Sequence, residues 1–344
     1  MLEVRTLTDG GQTALEIATP LAEFLDGAQS SLELALYDVR LTGEPADLVR
    51  EALERAPGRG VKTRLVYNVD HGKRAPIPPP PQTEPTLIEA LPFPTRAIPG
   101  VPDLMHHKYV IRDDQSVWTG STNWTDDSWT REENVIAIVA SPALAARFAE
   151  DFEQLWTSRE VGKSGRVSSD PVDGFRPWFC PGRGEALAHR IAHALGEAQR
   201  RIRIASPVIT SGPILGTLAE LVSDGRADLA GVVDATQMRE VLHQWHENGN
   251  ASWKIPSLHR VLERADFTGK ESTPYQPGSV HDYMHAKVTV ADDTIFLGSY
   301  NLSHSGELNA ENVLELEDSA LADRLAAFVD EVRGRYQPVA LPST

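Results

Sequence analysis

The octapeptide His106-His107-Lys108-Tyr109-Val110-Ile111-Arg112-Asp113 returns, with different filling, as His285-Ala286-Lys287-Val288-Thr289-Val290-Ala291-Asp292. In both copies Lys stands two residues after His, and Asp seven. Each is followed by Gly-Ser-x-Asn, at Gly120-Ser121-Thr122-Asn123 and Gly298-Ser299-Tyr300-Asn301, and then by a Glu-Asn pair, Glu133-Asn134 and Glu311-Asn312. The GSxN asparagine lies 17 residues after His in one copy and 16 in the other; the glutamate lies 27 and 26 after it. Six residue types agreeing to within one position make this chain a duplication.

The flanks repeat too. A helical stretch opens each half, Pro20–Ala28 and Gly184–Gln199, and runs into an apolar strand, Leu32–Tyr37 and Arg201–Ala205. A second amphipathic helix follows, Pro45–Ala56 and Gly212–Ser223, then a second strand, Thr63–Val69 and Leu229–Asp234. Apolar runs alternating with helical periods predict βα units on a central sheet. Within the motif, Lys108, Val110 and Arg112 share one strand face and Tyr109 and Ile111 the other, while His107 points away from His106 into packing. Closing helices are expected at Pro142–Trp156 and Ala320–Tyr336. The predicted organisation is a repeat at 1–156, a linker at 157–176 and a second repeat at 177–344. Two insertions break the symmetry: a Pro-rich loop beginning at Pro76–Pro81, and Gln237–Val280, which carries His243, Trp245, His246, Trp253 and Tyr275.

Composition narrows the class. Of the 344 residues 41% are hydrophobic and 24% charged, the balance of a globular protein, and no apolar run reaches 18 residues. No export signal follows Met1, and the single Cys180 fits a reducing compartment, so the expected location is cytoplasmic; a leader removed before this numbering leaves secretion open. Net charge is −16, and only residues 51–100 are net basic, seven Lys and Arg against five Asp and Glu. A protein gripping nucleic acid by its phosphates would carry a broad basic face, which lowers that expectation without removing it.

The duplicated residues suit a phosphodiester, an anion with a poor leaving group. One neutral imidazole attacks phosphorus while the other, protonated, supplies the leaving oxygen; attack and departure lie on opposite sides, so two facing histidines are needed. Lys108 and Lys287 meet the non-bridging oxygens, and Asn123, Asn301 and the hydroxyls of Ser121 and Ser299 offer hydrogen bonds. Glu133 and Glu311 stand at matching positions to hold a ring nitrogen, each expected to serve the histidine of its own repeat.

Two H-x-K-x4-D blocks, each followed by GSxN and Glu-Asn, resemble the phospholipase D superfamily over nearly the whole chain. That resemblance implies an α/β fold of two pseudo-twofold-related βα repeats, with mixed sheets, helices on both faces and the active site at the repeat interface. It also implies a covalent phosphohistidine, no metal and no cofactor, His106 as nucleophile and His285 as acid. Asp113 and Asp292, with Gly120 and Gly298, are implied to be structural.

Other readings are weaker. His281 and His285, four apart, or His243 and His246, three apart, have the spacing of a helical metal pair, but no carboxylate or cysteine cluster joins them and the lysines would repel a cation. Gly162-Lys163-Ser164 resembles the end of a phosphate loop, yet Thr157 stands where that motif needs glycine. Trp118 and Trp156 read as core, Trp124 and Trp129 as packing or substrate contact, and Trp245 and Trp253 as rim contacts or an aromatic mini-core. The insertion 237–280 is neutral, five basic against five acidic residues. Three functions remain: a lipid phosphodiesterase, hydrolysing or exchanging a headgroup at a membrane surface; a nuclease of the same fold; and a silent binding protein. Both motifs in one chain predict a monomer.

Overall fold

A computed structural model describes residues 1–69, 88–249, 251, 253–276 and 278–340. The Pro-rich stretch at Pro76–Pro81 lies outside the described residues. The first half forms a seven-stranded sheet in the order Leu2–Leu7, Asn134–Ala140, Ser116–Gly120, Lys108–Arg112, Ser31–Leu36, Lys62–Val69, Thr95–Pro99. The second forms an eight-stranded sheet in the order Phe175–Cys180, Glu311–Glu317, Thr294–Gly298, Val288–Ala291, Arg201–Ala205, Asp228–Asp234, Asp266–Lys270, Gln337–Pro338. The first seven strands correspond one to one, and so do their directions. In each sheet the five strands starting with Leu2–Leu7 or Phe175–Cys180 run antiparallel to their neighbours, and the βα crossovers make the next two pairs parallel.

Helices cover both faces of each sheet. One buried cluster joins the two halves: Tyr109, Phe148 and Phe152 of the first pack with Phe179, Leu325 and Phe328 of the second. The two closing helices, Pro142–Ser158 and Ser319–Arg333, supply Phe148, Phe152, Leu325 and Phe328. Each half also keeps its own outer cluster beneath its first two helices.

Local chemistry explains where the expected boundaries move. The first helix runs Ala14–Asp26 with Pro20 inside it rather than at its start, because Thr13 and Glu16 form a reciprocal capping box. The stretch read as linker is partly structural: Val161 and Val167 enter the shared core, and Phe175 already pairs with Leu316. Insertion 237–280 is built around helices Ala235–Asn248 and Lys254–Arg264 and strand Asp266–Lys270, with Ile255 and Leu258 buried in the second half's outer core.

Candidate active site

The motif strands begin where the repeats meet. His106 donates its backbone N–H to Ala310 O at 2.9 Å, and Ala310 donates back to Leu104 O at 2.8 Å; Met284 forms the matching bridge to Glu133. Each approach segment is also pinned from its own repeat, Met105 N–H by Asn68 Oδ1 at 3.1 Å and Met284 N–H by Asp234 Oδ2 at 3.0 Å. Burial pushes the Asp234 carboxyl up to about 6, against the hydrogen bonds from Gln237, Ser272 and Met284 and the charge of Lys270.

The hairpins carrying the motifs are locked by their aspartates. Asp113 and Asp292 adopt left-handed backbone at φ 57° and 55°. Their carboxylates accept N–H groups from three successive residues, Gln29 to Ser31 and Gln199 to Arg201. Burial acts to raise both carboxyls, but these amides outweigh it and hold them below the usual value. Neither aspartate faces the histidines. Gly120 and Gly298 are required by close approach: a Cβ on either would fall 2.1 Å from a carbonyl oxygen of the neighbouring strand, Val135 or Asn312.

His106, Lys108, His285 and Lys287 converge from the two repeats, all buried. His106 Nδ1 lies 2.8 Å from Glu311 Oε1, a residue of the other repeat. His285 Nδ1 lies 3.1 Å from Asn134 Oδ1 and 3.4 Å from Glu132 Oε2, again across the interface. The expectation that each glutamate serves its own repeat is therefore corrected for Glu311. Glu133 is corrected further, because it does not reach a catalytic histidine. It accepts from Lys270 Nζ at 3.1 Å and from the Tyr336 hydroxyl, and the same ammonium meets Asp9 at 3.0 Å. One extra residue between the short helix Asp126–Thr130 and its following strand rotates Glu133 out of the site and brings in Asn134.

Lys108 and Lys287 each donate to the carbonyl of their own motif histidine, at 2.5 and 2.7 Å. Lys108 also sits over the Tyr37 ring, 4.7 Å from its centre, and that ring packs edge-on against His106 at 4.6 Å. Ser121 and Ser299 do not face the substrate position in the way their sequence position suggests. Ser121 Oγ donates to Asn134 Oδ1 at 2.7 Å and accepts from Val135 N–H, while Ser299 accepts from Asn312 N–H and hydrogen-bonds the Glu311 carboxyl. Both orient the groups behind the histidines. The Asn123 and Asn301 side-chain oxygens, by contrast, are buried without a partner among the described residues. Turned over, each amide presents its N–H groups there instead, so these are the amide ends left for a ligand.

Electrostatically the site is built for an anion. Burial, then Lys108, Lys287 and His107, pull the His106 imidazole well below its usual value. Burial, then Lys287, Lys108, His106 and His281, do the same for His285. Burial lowers the Lys108 ammonium to about 7 despite Glu311, Asp38 and Glu132, and burial with Lys108 depresses Lys287 strongly. Burial also raises Glu132 and Glu311 to about 7. Two lysines and two histidines thus share one dry volume, and a phosphoryl group there would relieve all four.

The remaining sequence candidates separate. His107 is buried, 3.2 Å from Asn312 Oδ1 and packed on Tyr109. Trp118, Trp124 and Trp129 are core, the last donating its Nε1–H to Asn123 O at 2.8 Å. Trp245 is half-buried on the second half's core, whereas Trp253 is 52% exposed. Lys254 lies over both rings and donates to Thr210 O, whose N–H is held by Leu302 O beside Asn301. Lys254 is thus the link between the two tryptophans and the Thr210 loop. His243 and His246 are exposed on the outer face of helix Ala235–Asn248, and His281 pairs with Arg40 at 3.0 Å. Among the described residues no group of three His, Cys, Asp or Glu is placed to hold a metal ion. Tyr37, Asp38 and Arg40, missed by sequence reading, follow strand Ser31–Leu36 at its carboxyl end, where α/β sheets place their sites.

This fold and site define a member of the phospholipase D superfamily. The sequence model of the family described as "Cardiolipin synthase, PLD-like domain" matches residues 21–156 and 191–333, and the chain belongs to that family. It is 36% identical over 52 residues to a mitochondrial cardiolipin hydrolase of Chlamydomonas reinhardtii; the matched stretch spans 15% of this chain and 23% of that one. The fold is similar to that of a phosphatidylserine synthase from Haemophilus influenzae Rd KW20, with TM-score 0.65 and 15% identity over 98% of this chain and 87% of the other. It is also similar to a polyphosphate kinase from Porphyromonas gingivalis, with TM-score 0.57 and 12% identity over 96% and 50%. Structures of such different names sharing one fold leave the substrate to be argued from the site.

Proposed function

We propose that this chain cleaves the headgroup phosphodiester of a phospholipid, through a phosphohistidine on His106 and with His285 as the proton donor. The observation that carries the reading is the meeting of two complete His–Lys–Asn sets across one interface, each histidine held at Nδ1 from the opposite repeat. Both Nε2 atoms are then left for phosphorus and the leaving oxygen. His106 Nε2 attacks, the P–O bond to the headgroup breaks, and the proton of His285 goes to the departing alkoxide. His285 next takes a proton from water, or from an acceptor alcohol in exchange, and the incoming oxygen displaces His106. The direct Glu311 carboxylate supports His106 as nucleophile, since it offsets the positive charge the ring gains when the P–N bond forms. Lys108, Lys287, Asn123 and Asn301 hold the equatorial oxygens.

A lipid substrate is supported by the family description, by the net charge of −16 and by the exposed Trp253. The protein acts as a monomer that touches the bilayer from one side, and it uses no metal or cofactor. The test is a paired assay, in excess chelator, on phosphatidylcholine–phosphatidylglycerol vesicles and on single-stranded DNA. Headgroup release from vesicles is expected. Cleavage of DNA alone, falling steeply with salt, would transfer the site to a nuclease, and activity restored only by added metal would overturn the mechanism.

A further inference from the structure

The two histidines are copies, but the groups behind them are not. Gly120 pairs with Ile136 across the sheet and Gly298 with Val313, and the serine N–H groups that follow bond to Val135 O and Asn312 O. This register sets Asn134 in the place of Glu311, and Glu132 in the place of Asn309. Acid and amide have exchanged positions. On His106 the acid is in front: Glu311 touches Nδ1 at 2.8 Å and Asn309 Nδ2 stands behind it at 3.4 Å. On His285 the amide is in front: Asn134 Oδ1 stands 3.1 Å from Nδ1, and Asn134 Nδ2 donates to Glu132 Oε2 at 3.1 Å.

We infer that Asn134, backed by Glu132, is the positioning residue that fixes the tautomer and orientation of His285. The inference deepens the phosphodiesterase reading and rests on it for its kinetic consequence, though not for its structural one. The amide cannot turn over. Its Nδ2 is committed to Ser128 O at 3.1 Å and to Glu132, and its Oδ1 already accepts from Ser121 Oγ. An oxygen locked in that direction can only accept, so His285 carries its hydrogen on Nδ1 and turns Nε2 toward the substrate. Glu132 is buried and held by Ser128 Oγ at 2.7 Å, so it acts on the ring chiefly through the amide. The charged and titratable groups facing His285 are otherwise Lys287, Lys108, His106 and His281, and those facing His106 are Lys108, Lys287 and His107. The cations are similar on the two sides; the acceptor at Nδ1 is what differs.

The test compares Asn134→Leu, which keeps the volume and removes the acceptor, with Asn134→Asp, which keeps an acceptor. Imidazole nitrogen NMR on the labelled protein should show neutral His285 as the Nδ1–H form in wild type and Asn134→Asp, and a shift toward the Nε2–H form in Asn134→Leu. Turnover of a dialkyl phosphate, whose leaving group needs the acid, should fall about 100-fold in Asn134→Leu and be largely rescued in Asn134→Asp. The first-turnover burst of nitrophenolate from bis(4-nitrophenyl) phosphate, whose leaving group needs no acid and which precedes the step that uses His285 as base, should slow by no more than about fivefold. Persistence of the Nδ1–H form in Asn134→Leu, or a nitrophenolate burst slowed as much as dialkyl phosphate turnover, would overturn the inference. Should Asn134→Leu not fold, an Nε2–H form in the wild-type spectrum does the same. If wild type turned over neither phosphodiester while the tautomer shift still appeared, the functional reading would fail and the positioning role would stand.

Discussion

Glu311, from the second repeat, receives the Nδ1 hydrogen of His106, from the first, at 2.8 Å, and the pair is almost wholly removed from solvent. The ring is therefore oriented by a residue 205 positions away in sequence, and catalysis requires the two sheets to be docked in one register. Glu311→Gln retains an oxygen acceptor and is expected to lower kcat about tenfold, while Glu311→Leu removes it and should cost nearer 100-fold. Steady-state kinetics with circular dichroism as a folding control checks this. Equal activity of the leucine variant and wild type would remove Glu311 from the mechanism.

Glu133 should behave in the opposite way. It is fully buried and joins Lys270 and Tyr336, groups of the second repeat, to the first. Among the described residues Glu133→Gln leaves the buried Lys270 ammonium with Asp9 as its one ion-pair partner, so a loss of roughly 3 kcal/mol in urea unfolding is expected, at the low end for a broken buried pair. The activity of the protein that remains folded should stay close to wild type. Glu132→Gln should reverse the pattern, with stability little changed and kcat reduced about tenfold.

That contrast marks where the sequence was legible. The duplication, the βα alternation and the His, Lys and Asn positions follow from residue types that chemistry fixes within one short segment. The acid of the first repeat does not. Counting from the GSxN asparagine puts Glu133 level with Glu311, ten residues on in each copy. The one-residue offset from His arises because the hairpin of the first repeat turns through Asp113 and Asp114, both left-handed, where the second uses Asp292 alone. A second single-residue insertion follows the helix Asp126–Thr130, and since neighbouring strand residues face opposite ways, it swaps the inward residue. Only strand register could show that. The cross-repeat pairing was equally hidden, since nothing local to a motif says which repeat's glutamate lies against it.

The lysines predict how anion binding depends on pH. Burial leaves the Lys108 ammonium with a value of about 7 in the folded protein, and a bound dianion would raise it again. Below pH 7 Lys108 already holds its proton in the free site and adds nothing to the pH dependence, whereas the strongly depressed Lys287 ammonium still takes one up on binding. Above pH 7 the complex must take up a further proton that the free protein has lost, and affinity for tungstate should fall by about a further tenfold per pH unit. Calorimetry at pH 8 in two buffers of different ionisation heat would measure that uptake directly. Constant affinity from pH 7 to 9 without proton uptake would mean that Lys108 stays charged in the free site.

The two tryptophans of the insertion are expected to part company at a membrane. Trp253 is 52% exposed, and Trp245 is half-buried against the second half's core. A chain of net charge −16 is repelled by an anionic bilayer, so contact must come from an apolar side chain that can enter the interface. Trp253→Ala should therefore reduce turnover of vesicles by about tenfold or more while leaving a soluble short-chain phosphodiester nearly untouched, which amounts to about 1.4 kcal/mol of lost docking. Trp245→Ala should lower the melting temperature and act on both substrates alike, because the ring braces Lys254 and through it the Thr210 carbonyl next to the site. Vesicle binding by flotation, measured beside both assays, separates docking from chemistry. If Trp253→Ala bound vesicles as tightly as wild type, the insertion would not be the membrane-facing surface.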